Sequence, residues 1–456
     1  MSISSIKIKR IRLLLWLYLF LLVFEGALRK WFLPFLSTPL LLVRDPVAFL
    51  AVFWAWPLLR EYWWPRLQPL FIISIVAFVL AIYVGHGDWF TALFGSRIFL
   101  IQLPLIFVFP LVLNADDAKQ FSVAILWMCI PMAILIAAQS VNLPNHILNI
   151  GVGGKGTSVF DGAAGKFRPP GTFSFTTGVA SFFTLSAASM MAVNYGKPTP
   201  LIPSGNQQSV KKKNDNLLLK ILSALGIVIA LPVSISRALL ANYLVVTAAT
   251  VTVLVLSRSR LISLVYGFFG LLLVASIATT IPAVQDATYA FTVRWETSKG
   301  SSGGKSGNNA LLDRLIGAYS GPLSRIDEYP LLGAGIGMGS NVGATRLTGG
   351  KAFTLDEKSW GRQFGELGLF LGFWFLYWRI SLALWLLKLS LRAAINGNNL
   401  PLIYLSVSFS EIFGAQLGQP TGLGFLVVSA GLTLASFNYS PLIPSTTIQS
   451  SDEDLL

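Results

Sequence analysis

IRLLLWLYLFLLVF, residues 11–24, decides the fold. It holds one charge, Arg12, and with the residues through Leu28 it reaches the ~20 residues that a helix needs to cross a bilayer. It passes into Glu25-Gly26 without a small-residue cleavage site, so it reads as a retained anchor. The same length rule, applied outward, predicts a first span at 11–28 and others near 39–59, 67–84, 96–113, 120–140, 172–193, 217–234, 237–256, 261–282, 361–387, 399–415 and 420–437. The expected fold is therefore an all-α integral membrane domain over 1–440 with about twelve transmembrane helices. The second span carries Arg44-Asp45-Pro46, and Gly418-Gln419-Pro420 divides the last two.

Composition agrees. The 456 residues are 54% hydrophobic and 12% charged, with a mean hydropathy of +0.67, against about a quarter charged in soluble domains. The net charge of +14 does not indicate nucleic acid, because many basic residues lie in short loops between spans rather than on one face. With the N-terminus inside, the cytoplasmic loops hold Lys7, Lys9, Arg10 and Arg12, Arg60 and Arg66, Lys119, Lys197 and Lys211–Lys213, Arg258 and Arg260, and Lys388 and Arg392. That bias predicts an N-in, C-in topology and anionic lipid headgroups as partners of the basic loops. Residues 194–216 then form a cytoplasmic linker, 441–456 a disordered acidic tail, and 141–171 and 283–358 the two larger outer segments. The second, between spans 9 and 10, is the one large outer loop. Its stretch 298–309 is linker-like, and a helical pattern over 311–326 is expected to break at Gly321-Pro322. The single cysteine, Cys129, excludes a disulfide within the chain.

Metal chemistry finds no footing in the pattern: His86 and His146 lie in different loops without paired ligands. Asn114-Ala115-Asp116-Asp117 reads as a helix cap. GAGIGMG (333–339) lacks the strand and βαβ context of a dinucleotide fingerprint and reads as a tight turn back to the membrane. The arginines are more informative. Arg168 in KFRPPGTFSF (166–175) and Arg237 in LPVSISRALLANY (231–243) fall at the outer ends of spans, where positive charge is not expected. An arginine there either snorkels to headgroups or serves function, and guanidinium suits phosphate oxygens. In DEKSWGRQFGELGLFLG (356–372), Glu357, Arg362 and Glu366 lie within a few helical turns, as an i, i+4 helix pair or as a carboxylate base beside a cation. Glu25, Arg29 and Lys30 in FEGALRKWFLP (24–34), and Arg97 in GSRIFLIQLP (95–104), mark the same boundary, with Trp31 as an aromatic anchor.

Taken in order, these segments resemble the O-antigen ligase and polysaccharide polymerase superfamily over roughly residues 95–375. The matching pieces are R-x-x-G-T-F at 168–173, Ser236-Arg237, the 313–339 segment ending in P-L-L-G-x-G-x-G, and E-x-x-W-x-x-x-x-x-E-x-G at 357–368. Ligases of the family usually carry His-Asn where this chain has Glu357-Lys358, a departure that favours a polymerase or an exopolysaccharide-type relative.

The resemblance implies a GT-C-like fold and a glycosyltransferase acting on the outer face of the bacterial plasma membrane, in surface polysaccharide biosynthesis. Its donor would be an undecaprenyl-pyrophosphate-linked oligosaccharide and its acceptor a glycan or lipid-glycan, with polysaccharide-assembly proteins as further partners and no cofactor or metal. Arg168 and Arg237 would neutralise the leaving pyrophosphate and Glu357 would act as base, in an inverting reaction. Arg314, Arg362, Glu366 and Arg97 complete the expected substrate contacts. The competing class is a transporter or flippase for a small anion or lipid-linked glycan. Against it, the charges cluster at the outer edge and no repeated halves are visible.

Overall fold

The structure, a computed structural model, describes residues 5–196, 216–256, 276, 279–300, 317, 319–349, 355 and 359–437. Within them the chain is helical apart from one two-stranded hairpin. Eight stretches are long and apolar enough to cross a membrane by length and composition: Ile6–Phe32, Pro34–Tyr62, Trp64–Tyr83, Trp89–Val112, Ala115–Val141, Thr176–Tyr195, Arg237–Leu256 and Ser359–Ile395. Three shorter apolar helices, Leu217–Val233, Leu400–Gly414 and Pro420–Ala435, join them. Of the expected spans, 261–282 lies outside the described residues except at 276 and 279–282, as do the linker core (197–215) and the tail.

The elements run α1 (Ser5–Ala27), α2 (Ser37–Leu40), α3 (Arg44–Tyr62), α4 (Trp64–Tyr83), α5 (Trp89–Arg97), α6 (Leu103–Val112) and α7 (Ala115–Val141). After the hairpin β1 (Phe160–Ala163) and β2 (Lys166–Arg168) come α8 (Thr176–Tyr195), α9 (Leu217–Val233), α10 (Arg237–Leu256) and α11 (Pro282–Gly300). The last are α12 (Asn341–Thr348), α13 (Ser359–Ile395), α14 (Leu400–Gly414) and α15 (Pro420–Ala435). Tight connections make neighbours antiparallel. Trp63 alone joins α3 to α4, and Leu113-Asn114 joins α6 to α7. We call the end where α1 starts the near end and the end it reaches the far end.

Lipid tails are as apolar as leucine, so close packing rather than water exclusion holds such helices together. Glycines supply the close approaches. A Cβ on Gly431 of α15 would fall 2.5 Å from the Phe109 ring, and one on Gly226 of α9 3.0 Å from Ala133. Tyr404 of the buried α14 donates to Ala118 O (3.0 Å) and meets Ser122 Oγ at 2.7 Å, tying α14 to α7. Cys129 on α7 is fully buried and free, its Sγ 3.9 Å from Ser223 O.

Three local outcomes bear on the sequence reading. Asn114 and Asp117 form a reciprocal capping box at the start of α7, Asn114 Oδ1 accepting from Asp117 N (2.9 Å) and Asp117 Oδ2 from Asn114 N (3.0 Å). Residues 319–324 are helical straight through Gly321-Pro322, where an interruption is expected from sequence; proline's fixed φ is itself helical. Two membrane helices are also irregular near the far end. Both α1 and α5 pass into π-helical turns, Leu28–Phe32 and Ile98–Gln102, each next to charged residues. Such widened turns recur at functional sites.

Candidate functional site

Apolar helices tolerate charge only where it is paired or open to water, so the far end can be built up from its ion pairs. Glu25, on the last turn of α1, holds Arg44 at 2.8 Å and Arg29 at 3.4 Å. Asp45, the next residue of α3, takes Arg97 on both oxygens at 2.7 Å and Gln102 Nε2 at 2.5 Å, and Tyr18 donates to Gln102 Oε1 at 2.6 Å. Gly424 of α15 leaves room for the Arg44 guanidinium, whose Nη1 would lie 2.2 Å from a Cβ there. Lys30, 1% exposed, donates to Gly171 O at 3.1 Å and so fixes the Pro169-Pro170-Gly171 turn that follows Arg168. The Arg97 that sequence places among substrate contacts is thus engaged by Asp45. These pairings span 19 and 52 residues and have no local signature.

A second group forms where α13 breaks. Gly368 has φ 73° and ψ −179°, and the backbone there opens to accept the 331–335 segment: Ala334 N donates to Gly365 O (2.8 Å), Gly335 N to Glu366 O (3.2 Å), and Leu369 N to Leu331 O (3.1 Å). Non-helical backbone at membrane depth persists only when buried in protein that satisfies it, which this pairing does. GAGIGMG is accordingly a turn, its glycines 333, 335 and 337 all at positive φ. Glu366 Oε1 accepts Gly339 N at 2.7 Å and clamps the turn's end. Arg362, 8% exposed, packs against both Gly339 and Gly418. Deeper, Arg379 donates to Ile412 O (2.7 Å), Ala415 O (3.2 Å) and Gln363 Oε1 (3.1 Å), capping the end of α14. Arg362, Gln363, Glu366, Arg379, Ser359 and Gln416 line a cavity of about 30 Å³, room for a water or two. Nearby, Tyr319 packs on Trp360 and Phe413 (centroids 4.9 and 5.1 Å), and burial raises its phenol's pKa.

The third group contains the arginines that sequence singles out. Phe160 pairs with Arg168 across the hairpin, and Gly162 of β1 packs on Ile235, whose Cδ1 would lie 2.9 Å from a Cβ there. Ile235 has φ 46°, a conformation a β-branched residue adopts only under constraint. Its carbonyl accepts Arg294 Nη1 of α11 at 2.9 Å, and Arg237 opens α10 two residues later. Lys166 to Asp286 (2.9 Å) ties the hairpin to α11 again. Arg168, Arg237 and Arg294 therefore come from three elements that meet at the 234–236 turn. Arg294 escapes the sequence reading because it lies in an ordinary polar helix.

On the rim, Asp88 caps α5 through Thr91 N (3.1 Å) and takes Arg346 of α12 in two bonds of 2.7 and 2.9 Å. Arg346, then Thr91, hold the Asp88 carboxyl well below the usual carboxylate range, and Asp88 raises the Arg346 pKa in return. Arg314 and Glu357, both expected at the site, lie outside the described residues. Among the described residues no group of three or more His, Cys, Asp or Glu side chains could hold a metal ion. No protein-family model, curated protein or solved structure matches this chain.

Proposed function

We propose that this chain is a twelve-span, N-in/C-in membrane glycosyltransferase that polymerises or ligates undecaprenyl-pyrophosphate-linked glycans at its far end, on the outer face of a bacterial plasma membrane, with polymerisation favoured. The observation that carries the reading is that the hairpin bearing Arg168, α10, which opens with Arg237, and Arg294 of α11 meet at the strained Ile235 turn at the far end. Guanidinium groups there are suited to a diphosphate at the membrane interface. An acceptor hydroxyl attacks the anomeric carbon, its C–O bond forms as the C–O bond to pyrophosphate breaks, and configuration inverts. Fixed cations stabilise the charge that grows on the leaving group, each removal costing about 10²–10³ in rate.

The test uses purified protein in lipid with a synthetic undecaprenyl pyrophosphate oligosaccharide. Wild type should give longer glycans and free undecaprenyl pyrophosphate, and Arg168→Ala and Arg237→Ala should lose both. Full activity in the two variants would sink the mechanism, and a single transfer that needs an added acceptor would mean ligation. A specific feature favours a second reading, transport: transporter sites form at broken membrane helices, and α13 breaks at Gly368. Donor flipping or solute uptake without any pyrophosphate release would decide for it.

A further inference from the structure

A general base needs a lone pair that no cation or amide already holds. The far-end carboxylates of the bundle can be sorted on that criterion. Glu25 holds Arg29 and Arg44, Asp45 holds Arg97 and Gln102, Asp88 holds Arg346 and Thr91, and Glu366 holds the Gly339 amide. Glu411, three residues before the end of α14, differs. Among the described residues its hydrogen-bond donor is the neutral Ser181 hydroxyl of α8, 2.9 Å from Oε1. Glu411 is partly, not fully, buried, and the Arg379 guanidinium of α13 acts on it through its charge and not through a hydrogen bond.

The register of the helices relates Glu411 in depth to the start of α10. Asn242 of α10 donates to Thr184 of α8 at 3.2 Å, and the two helices run parallel from the far end. Ser181 and Leu239 lie three residues earlier on each, so both are about 4.5 Å nearer that end, and Arg237 starts about 3 Å beyond Leu239. The hairpin reaches the start of α8 as well, because Phe160 meets Phe175 edge to face (centroids 4.5 Å) just ahead of it. The Ser181 contact therefore puts the Glu411 carboxylate, in depth, within about one helical turn of the start of α10 at Arg237, on a helix that packs against both α8 and α10.

We infer that Glu411 is the general base of the transfer: its carboxylate takes the acceptor hydroxyl's proton as that oxygen bonds the anomeric carbon and pyrophosphate departs toward Arg168 and Arg237. This rests on the glycosyl-transfer reading. The experiment is steady-state kinetics of Glu411→Gln and Glu411→Asp in lipid with the undecaprenyl-pyrophosphate donor. Glutamine keeps an oxygen for Ser181 but cannot accept the proton; kcat should fall about 10²–10⁴-fold with the donor KM within about threefold. Aspartate keeps the base but retracts it by one methylene, so kcat should fall about 10- to 100-fold, less than with glutamine. If Glu411→Gln does not fold, the aspartate variant decides alone, a wild-type kcat overturning the assignment. Wild-type kcat in Glu411→Gln, or a loss confined to KM, overturns it while glycosyl transfer stands. No pyrophosphate release by the wild type overturns both.

Discussion

Single residues at the far end act in pairs that sequence separates widely. Arg44 reads as a weakness in the second span, yet it begins α3 at 5% exposure, locked to Glu25 and set over the Tyr18 ring at 5.8 Å. Removing one member of a buried pair strands the other charge, at about 3–5 kcal/mol. We expect Glu25→Gln to lower the unfolding temperature of the detergent-solubilised protein strongly, and Glu25→Gln with Arg44→Gln to lower it less. Equal losses in the single and double variants would refute the pairing argument. The Asp88–Arg346 contact behaves differently, because it lies on the rim in contact with water. Its carboxyl titrates below the unfolded value of about 3.9, so its stabilisation is present above that pH and is lost as pH falls through the lowered folded value. The stability gap between wild type and Asp88→Asn should stay constant from about pH 8 to pH 5 and narrow only below about pH 4. A gap that closes near neutrality would contradict it. Among single residues, sequence singled out Arg168, Arg237, Arg362 and Glu366 by their place at span ends, but not Glu411, which lies within the apolar run LPLIYLSVSFSEIFG (400–414). Hydropathy averages over such a residue, and only the contact with Ser181, 230 positions earlier, reveals it.

At the level of elements, apolar length made most of the helices legible, because spanning length is a property of the chain alone. The span read at 237–256 is α10, and those read at 217–234 and 399–415 are α9 and α14 to within a residue. The irregularities were not legible. The π turns at Leu28–Phe32 and Ile98–Gln102 and the break at Gly368 come from tertiary partners, which hydropathy cannot register. The break makes its own prediction. A Cβ at Gly368 would meet Leu331 O at 2.4 Å in a backbone conformation that L side chains rarely adopt. Gly368→Ala should therefore cost at least about 1–3 kcal/mol and release the 331–335 segment, measured as a lower unfolding temperature and faster amide exchange there. An alanine variant as stable and as protected as wild type would mean the break is dispensable.

For the whole molecule, the two ends differ in how they hold charge. The described near end presents Arg12 to Asp117 at 3.2 Å and stacks Arg66 on Trp385 at 4.4 Å, the arrangement of an interfacial belt. The far end instead holds Arg29 and Arg44 on Glu25 and Arg97 on Asp45, with Arg168, Arg237, Arg294 and Arg362 on the elements around them. That asymmetry is what the proposed reading requires, an anionic amphiphile received at one membrane face only. It also makes orientation the property on which every functional reading depends, and the sealed Cys129 turns the chain into its own measuring instrument. A thiol fully enclosed between α7 and α9 is silent to maleimides, so the unmodified protein is already a blank for labelling. One cysteine introduced at Asp161 on the hairpin, or at Glu61 beside α4, would report its side of the membrane in intact cells with no background to subtract.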